Sequence, residues 1–268
     1  MKKILLSLLS TALITSCSIN AQTPFIPEQP IQPTINVQKS AINTIKIATF
    51  NIQVFGQNKL NDSSSMKIIT SIVKQFDVVA IQEVRSLEQN VMPIFVNMLG
   101  NRQWAYQTSE RIGRSDSKEQ YAFVYRKDRV KKNNCYQTKD PKDQLHREPY
   151  VCSFTSGNFN FRLINIHTDP HEVAQEVDFL DNVFKTAQQI EKDTILIGDL
   201  NAQPKEFGEL RTKLSLKWIV NDNQTTNVRE TSAYDNIIFS EYTKEFTGRG
   251  GVFDFPAKYN LSRNNALR

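Results

Sequence analysis

Histidine and cysteine are scarce in this 268-residue chain, with three of each, and no Cys/His set falls at zinc-binding spacing. A zinc module of the usual kinds is thereby excluded. No glycine-rich loop is present to cradle a nucleotide phosphate, and no self-similarity at a fixed period points to a repeat architecture. The apolar run from Ile4 to Ile14 falls short of the roughly 20 residues that a spanning helix needs.

What that run does suit is an export signal. Lys2 and Lys3 precede it, and it ends in Ile14-Thr15-Ser16-Cys17, which resembles a bacterial lipobox. Residues 1–16 then form a lipoprotein-type signal peptide and Cys17 is the lipidated first residue of an exported, envelope-bound chain. Ordinary cleavage after Ala21 would instead release a secreted one. Residues 17–41 carry Pro24, Pro27, Pro30 and Pro33 among Gln, Thr and Asn with no period, which reads as an extended tether. Contact with a membrane is expected only through the lipid at Cys17. The 33 basic and 28 acidic residues give +5, and loss of Lys2 and Lys3 leaves +3, a mild excess compatible with a polyanionic substrate. Cys135 and Cys152 remain as an even pair in an exported chain, and a disulfide between them is predicted. Its closed loop would contribute ~3 kcal/mol by constraining the unfolded state.

From residue 42 to 268 the pattern is that of one α/β domain, with a monomer expected. Ile45–Phe50 alternates toward a strand that ends at Asn51, and Val78–Ile81 is an apolar run leading to Glu83. Trp104–Tyr106 begins a return strand, and Phe159–Ile166 alternates into His167. Thr194–Ile197 runs through Gly198 to Asp199 and Asn201, and Tyr234–Phe239 contains Asp235. Helical spacing marks Met66–Phe76, 88–99 and 171–191, the first behind N-cap candidates in Asn61–Ser65. Gly198-Asp199-Leu200-Asn201 alone reads equally well as an Asx turn closing a strand. Five strands ending in polar groups, however, suggest one shared cleft, with oxygen ligands for a hard divalent ion and a histidine for proton transfer. Such a set suits phosphodiester hydrolysis.

The ordered blocks Phe50-Asn51-Ile52-Gln53, Ile81-Gln82-Glu83-Val84-Arg85, Lys118 to Arg126, Arg147-Glu148-Pro149, Ile166 to Pro170, Gly198 to Ala202 and Ala233 to Ile237 resemble the endonuclease/exonuclease/phosphatase superfamily, deoxyribonuclease I type. This resemblance implies a four-layer α/β sandwich of two packed mixed β-sheets flanked by helices. It implies a magnesium site at Glu83 and Asn51, with manganese as a substitute and calcium left open. It makes His167 a general acid/base oriented by Glu119, and gives the scissile phosphate, the water or a second ion to Asp199 and Asn201. Arg85 and Arg147 would meet the DNA backbone. Two departures follow. Ser117 stands where the family's DNA-contacting tyrosine is expected. No Ser-Asp-His motif lies between the Gly251–Ser262 segment and Arg268, so Asp235 is expected to lack its histidine and one sheet its final strand. Loss of one of two acid/base groups typically costs about 10²- to 10⁴-fold.

Three readings result. The first is a metal-dependent DNA endonuclease. The second keeps the fold and acts on sphingomyelin or another membrane phosphodiester. The third is a surface DNA-binding protein without turnover, marked by salt-sensitive binding and no cleavage.

Overall fold

In a computed structural model of the chain, residues 44–116 and 118–266 are described. The expected signal, tether and lipidated Cys17 lie outside the described residues, as does Ser117. Two sheets stack face to face. In the first, β1 (Ile47–Phe55), β2 (Val78–Val84), β3 (Trp104–Thr108) and β4 (Gln120–Arg126) take the order β1-β2-β4-β3. The second comprises β5 (Lys131–Gln137), β6 (Tyr150–Ser156), β7 (Phe159–His167), β8 (Thr194–Asp199), β9 (Leu216–Trp218) and β10 (Asp235–Ser240), in the order β5-β6-β7-β8-β10-β9. Each sheet contains one parallel pair, β1 with β2 and β7 with β8, among antiparallel neighbours. Helices α1 (Gln57–Asn61), α2 (Ser63–Val73) and α3 (Val91–Leu99) cover the first sheet, while α4 (Val173–Ile190) and α5 (Gly208–Thr212) cover the second. The mixed-sheet sandwich expected from the sequence is the fold found.

Alternation along each strand builds three apolar layers. Val78 and Ala80 point between the sheets toward Phe154, Phe161 and Leu163, and their neighbours Val79 and Ile81 point outward beneath Val73 and Phe95. Leu163 and Ile164 divide in the same way, with Ile164 under Val177, Leu180 and Phe184 of α4. Strands covered on both faces read as unbroken apolar runs, as Val78–Ile81 and Ile195–Ile197 do. A fully buried Phe such as Phe123, Phe154 or Phe161 contributes about 1.5–3 kcal/mol through burial. Asp62 caps α2, accepting from the backbone of Ser64 and Ser65. Such a cap is worth typically ~1 kcal/mol.

Two strand-end expectations need correction. Asn51 lies inside β1, which continues to Phe55, but regular pairing with β2 breaks just after it. Asp235 begins a strand rather than ending one. Because β10 runs antiparallel to β8, its first residue still reaches the rim where β8 ends, directly opposite Asp199. The predicted helix 88–99 starts only at Val91. Cys135 and Cys152 are joined as predicted, across paired positions of β5 and β6. Among the described residues β1 has β2 on one side and no strand on the other.

Gly198 sets the spacing of β7 and β8. Its φ is 151°, and a Cβ there would lie 1.9 Å from the Ile166 carbonyl oxygen. The pair Ile166/Gly198 immediately precedes His167/Asp199 in the register. Gly198→Ala must therefore push two central strands apart, and urea denaturation is expected to show a loss of at least about 2 kcal/mol.

Candidate active site

The first sheet supplies Asn51, Glu83 and Arg85 from a deliberate irregularity. The β1/β2 register shifts between Asn51 and Phe55, and the β2/β4 register between Ile81 and Val84. Bulges of this kind re-aim side chains at sheet rims. Glu83 sits at φ 60°, a left-handed conformation that costs a non-glycine residue on the order of 1–3 kcal/mol and persists only when its surroundings over-determine it. They do: Glu83 Oε2 accepts from the Val54 amide at 2.9 Å and meets Arg85 Nη2 at 3.2 Å, and Oε1 accepts from Asn51 Nδ2 at 3.1 Å.

From the second sheet, Asp199 Oδ1 accepts from the Asn201 amide at 3.0 Å, so the Asx turn anticipated at this strand end is real. It coexists with a second role. Asp199 Oδ2 accepts from Asn51 Nδ2 at 3.0 Å, so one neutral amide bridges carboxylates of both sheets. Asn201 itself donates to the Thr168 carbonyl at 2.9 Å. The Asn51 Oδ1 atom is buried without a protein partner. Two carboxylates and an unused amide oxygen are hard donors suited to a divalent cation. Among the described residues no three His, Cys, Asp or Glu side chains form a closed cage. A magnesium ion, which usually keeps several waters and needs only one or two carboxylates, does not require one.

His167, at the end of β7, hydrogen-bonds through Nδ1 to Glu119 Oε1 at 2.8 Å. With Nδ1–H committed to the carboxylate, Nε2 is the nitrogen free to exchange a proton. Glu119 is completely buried and lies just ahead of β4, where it bridges Ile112. Arg85 Nη2 at 3.3 Å and Arg147 Nε at 3.5 Å flank it. The His167 main chain is held by Tyr121, whose hydroxyl oxygen accepts from the His167 amide at 2.9 Å. Arg147, expected at a DNA backbone, is only 6% exposed and donates to the carbonyls of His167 (2.9 Å) and Thr168 (3.0 Å). In this structure it orients the strand end. Arg85 bridges Glu83 and Glu119, linking the carboxylate cluster to the histidine pair.

Asp235 faces Asp199 across the β8/β10 pair. Protein crowds it although it keeps some solvent exposure, and burial together with the Asp199 carboxylate pushes its pKa upward, with Thr226 and His167 pulling the other way. No second histidine joins this group among the described residues: His146 lies near Asp169 and Glu172, and His171 is exposed. Asn51, Glu83, Asp199 and Asp235 line a cavity of ≈1280 Å³ that follows β1. Sequence reasoning missed Tyr121, Thr226 and the inward turn of Arg147. Tyr121 lay concealed in an apolar alternation, where a hydroxyl at a buried position was the available signal.

Burial alone would lower the His167 pKa. The Glu119 hydrogen bond and charge, with Asp199, outweigh it, and the net direction is up. For Glu119 burial acts upward, but bonding to His167 and the charges of His167, Arg147 and Arg85 bring it below the usual carboxylate range. The ionic pair therefore stabilises the fold fully between about pH 4.5 and 6.5. That contribution is lost in acid as pH falls through the depressed Glu119 value, and lost in base as pH rises through the raised His167 value. In an NMR titration of the apo protein, His167 is expected to titrate above the ordinary histidine value of about 6.5. Glu119→Gln should move its midpoint downward, because burial is then left with less opposition. An unchanged midpoint in that variant would refute the pairing.

Residues 48–262 match the Endonuclease/Exonuclease/phosphatase family. The chain is 32% identical over 244 residues to deoxyribonuclease-1-like 2 of Mus musculus, covering 83% of this chain and 87% of that one. It is 30% identical over 250 residues to deoxyribonuclease-1 of Bos taurus, covering 84% and 88%. Among solved structures, the human Nocturnin catalytic domain with bound sulfate aligns with TM-score 0.56 at 16% identity, covering 74% of this chain and 83% of that one. A mannosyl-6-phosphatase of Bacteroides thetaiotaomicron gives 0.56 at 18%, covering 74% and 86%. These structural likenesses concern the fold, which is shared by proteins of different substrates. With family match and site blocks falling on the same residues, the chain belongs to the Endonuclease/Exonuclease/phosphatase family, deoxyribonuclease I-like branch.

Proposed function

We propose that the chain is a divalent-metal-dependent endonuclease that hydrolyses DNA phosphodiester bonds. The observation that carries this reading is the Glu119–His167 pair set on one rim with the Asn51-bridged carboxylates Glu83 and Asp199. The choice of DNA is supported by relatives named deoxyribonucleases at about a third identity over most of both chains. Glu83, Asn51 and Asp199 are the residues that would hold a magnesium ion, with manganese as a substitute. When bound, such an ion neutralises negative charge growing on the phosphate oxygens.

The chain's own groups do the rest. His167 Nε2 accepts a proton from the attacking water, and Glu119, already hydrogen-bonded at Nδ1, stabilises the imidazolium that forms. The water oxygen bonds to phosphorus as the bridging P–O bond breaks, and the departing oxygen takes a proton from solvent. Asn201 and Asp199 frame the phosphate, and Arg85 offers a guanidinium on the substrate side. Export is supported by the Cys135–Cys152 disulfide, which persists in an oxidising compartment. A lipid at Cys17 would tether a monomer to the envelope. Among the described residues no helix is long and apolar enough to cross a membrane.

Plasmid nicking by the purified chain tests the proposal. Nicking is expected with magnesium, to vanish with a chelator, and to fall about 10²- to 10⁴-fold in His167→Ala. Cleavage that survives this substitution unchanged removes His167 from the reaction. Salt-sensitive DNA binding without any metal-dependent cleavage would favour the binding-protein reading instead.

A further inference from the structure

We propose that Glu176, on α4, is a positioning residue that clamps the loop carrying Arg147 to the loop that follows His167 and so fixes the histidine for proton transfer. This inference rests on the nuclease reading above.

Glu176 is completely buried one turn into a helix whose other buried positions are mostly apolar. Such a carboxylate is costly to bury unless its oxygens are satisfied. Both of its oxygens are used, and both on backbone amides from elsewhere. Oε1 accepts from the His146 amide, and Oε2 accepts from the Asp169 amide at 2.5 Å. Burial raises its pKa, against the pull of those two amides and of Arg147.

The two amides are not arbitrary ones. His146 immediately precedes Arg147, and Asp169 follows His167 by two residues. Arg147 then reaches across to the carbonyls of His167 and Thr168, so a ring closes from Glu176 through both loops and back. Outside the ring, Arg114 ties Asp143 at 3.0 Å and Glu172 at 2.5 Å, holding the same two loops from the surface. The carboxylate geometry is specific. Two converging N–H donors need two acceptors, and the amide of a glutamine would turn its NH₂ toward one of them. The loops would then separate, and with them the alignment of His167 against Glu119. A small misplacement at a reacting group is enough to slow the chemical step by up to about 10²-fold.

The test compares Glu176→Gln with Asp181→Asn in the full chain. Asp181 is a buried acid on the same helix whose partner is Lys185, at 2.7 Å, so it reports loss of a structural contact alone. For Glu176→Gln, magnesium-dependent DNA cleavage should show kcat reduced about 10- to 100-fold with KM held within about twofold, and the His167 side-chain ¹H–¹⁵N signals of the apo protein should move. Asp181→Asn should lower Tm while leaving kcat and those signals in place. Glu176→Asp keeps the charge but falls one methylene short; it replaces the Gln variant if that does not fold, with the same split expected. Unmoved His167 signals together with unchanged kcat would overturn the clamp, as would a kcat loss equal to that of Asp181→Asn. If His167→Ala cleaves like the native chain, the nuclease role of His167 fails, and the NMR comparison still decides whether Glu176 positions it.

Discussion

A buried polar cluster crosses the otherwise apolar interior between the two sheets: Gln82 Nε2 donates to Asn165 Oδ1 at 2.6 Å, with both residues completely buried. Asn165 in turn donates to the carbonyls of Ile81 and Ala122 at 3.2 Å each, and Gln82 contacts the Thr49 hydroxyl at 3.1 Å. Packing of Phe154 and Phe161 against Phe123 gives cohesion but no register, because apolar attraction is non-directional. A buried amide pair is directional, and leaving either partner unsatisfied costs about 1–3 kcal/mol. Gln82 adjoins Glu83, and Asn165 lies two residues before His167. The bond therefore fixes one half of the cleft against the other, directly beneath Glu83 and His167.

Around that lock the site is assembled from strain on one side and order on the other. The first sheet reaches Glu83 only by breaking its own pairing twice and accepting a left-handed residue. The second sheet delivers His167 and Asp199 by undisturbed parallel pairing. Asn51 joins them, a neutral donor between two anions whose mutual repulsion would otherwise spread the cleft. The carboxylate cluster depends on bulge geometry and the histidine pair on the buried Glu119, and Arg85, in contact with both Glu83 and Glu119, couples the two.

Much of this was legible in the sequence. Buried strands announced themselves as apolar runs because both of their faces are covered, α4 by its helical spacing, α2 by helical spacing behind the N-cap candidates of Asn61–Ser65, of which Asp62 is the cap, and the disulfide by the even pair of cysteines left in the domain. Glu83, Asp199 and His167 stand at or beside strand ends, as expected, while Asn51 lies inside β1 and joins them through its hydrogen bonds to Glu83 and Asp199. Direction was not legible. Asp235 seemed to end a strand because a one-dimensional pattern does not say which way β10 runs. Arg147 was expected at the DNA backbone from the family resemblance, yet its guanidinium turns inward to two carbonyls that no local spacing connects to it. Gln82 and Asn165 were visible as polar letters in apolar strands, but their pairing spans 83 residues and belongs to the stacking of the sheets.

The close approach at Gly198 carries a consequence for how this domain tolerates change. The interval between His167 and Asp199 is set one residue earlier, where one backbone rests against another and a side chain has been left out. Side chains elsewhere on β8 can vary in size as long as the layers above and below adjust, since their volumes are shared among many neighbours. Position 198 has no neighbour able to give way except the main chain of β7. The spacing between His167 and Asp199 is thus governed by an absent carbon atom.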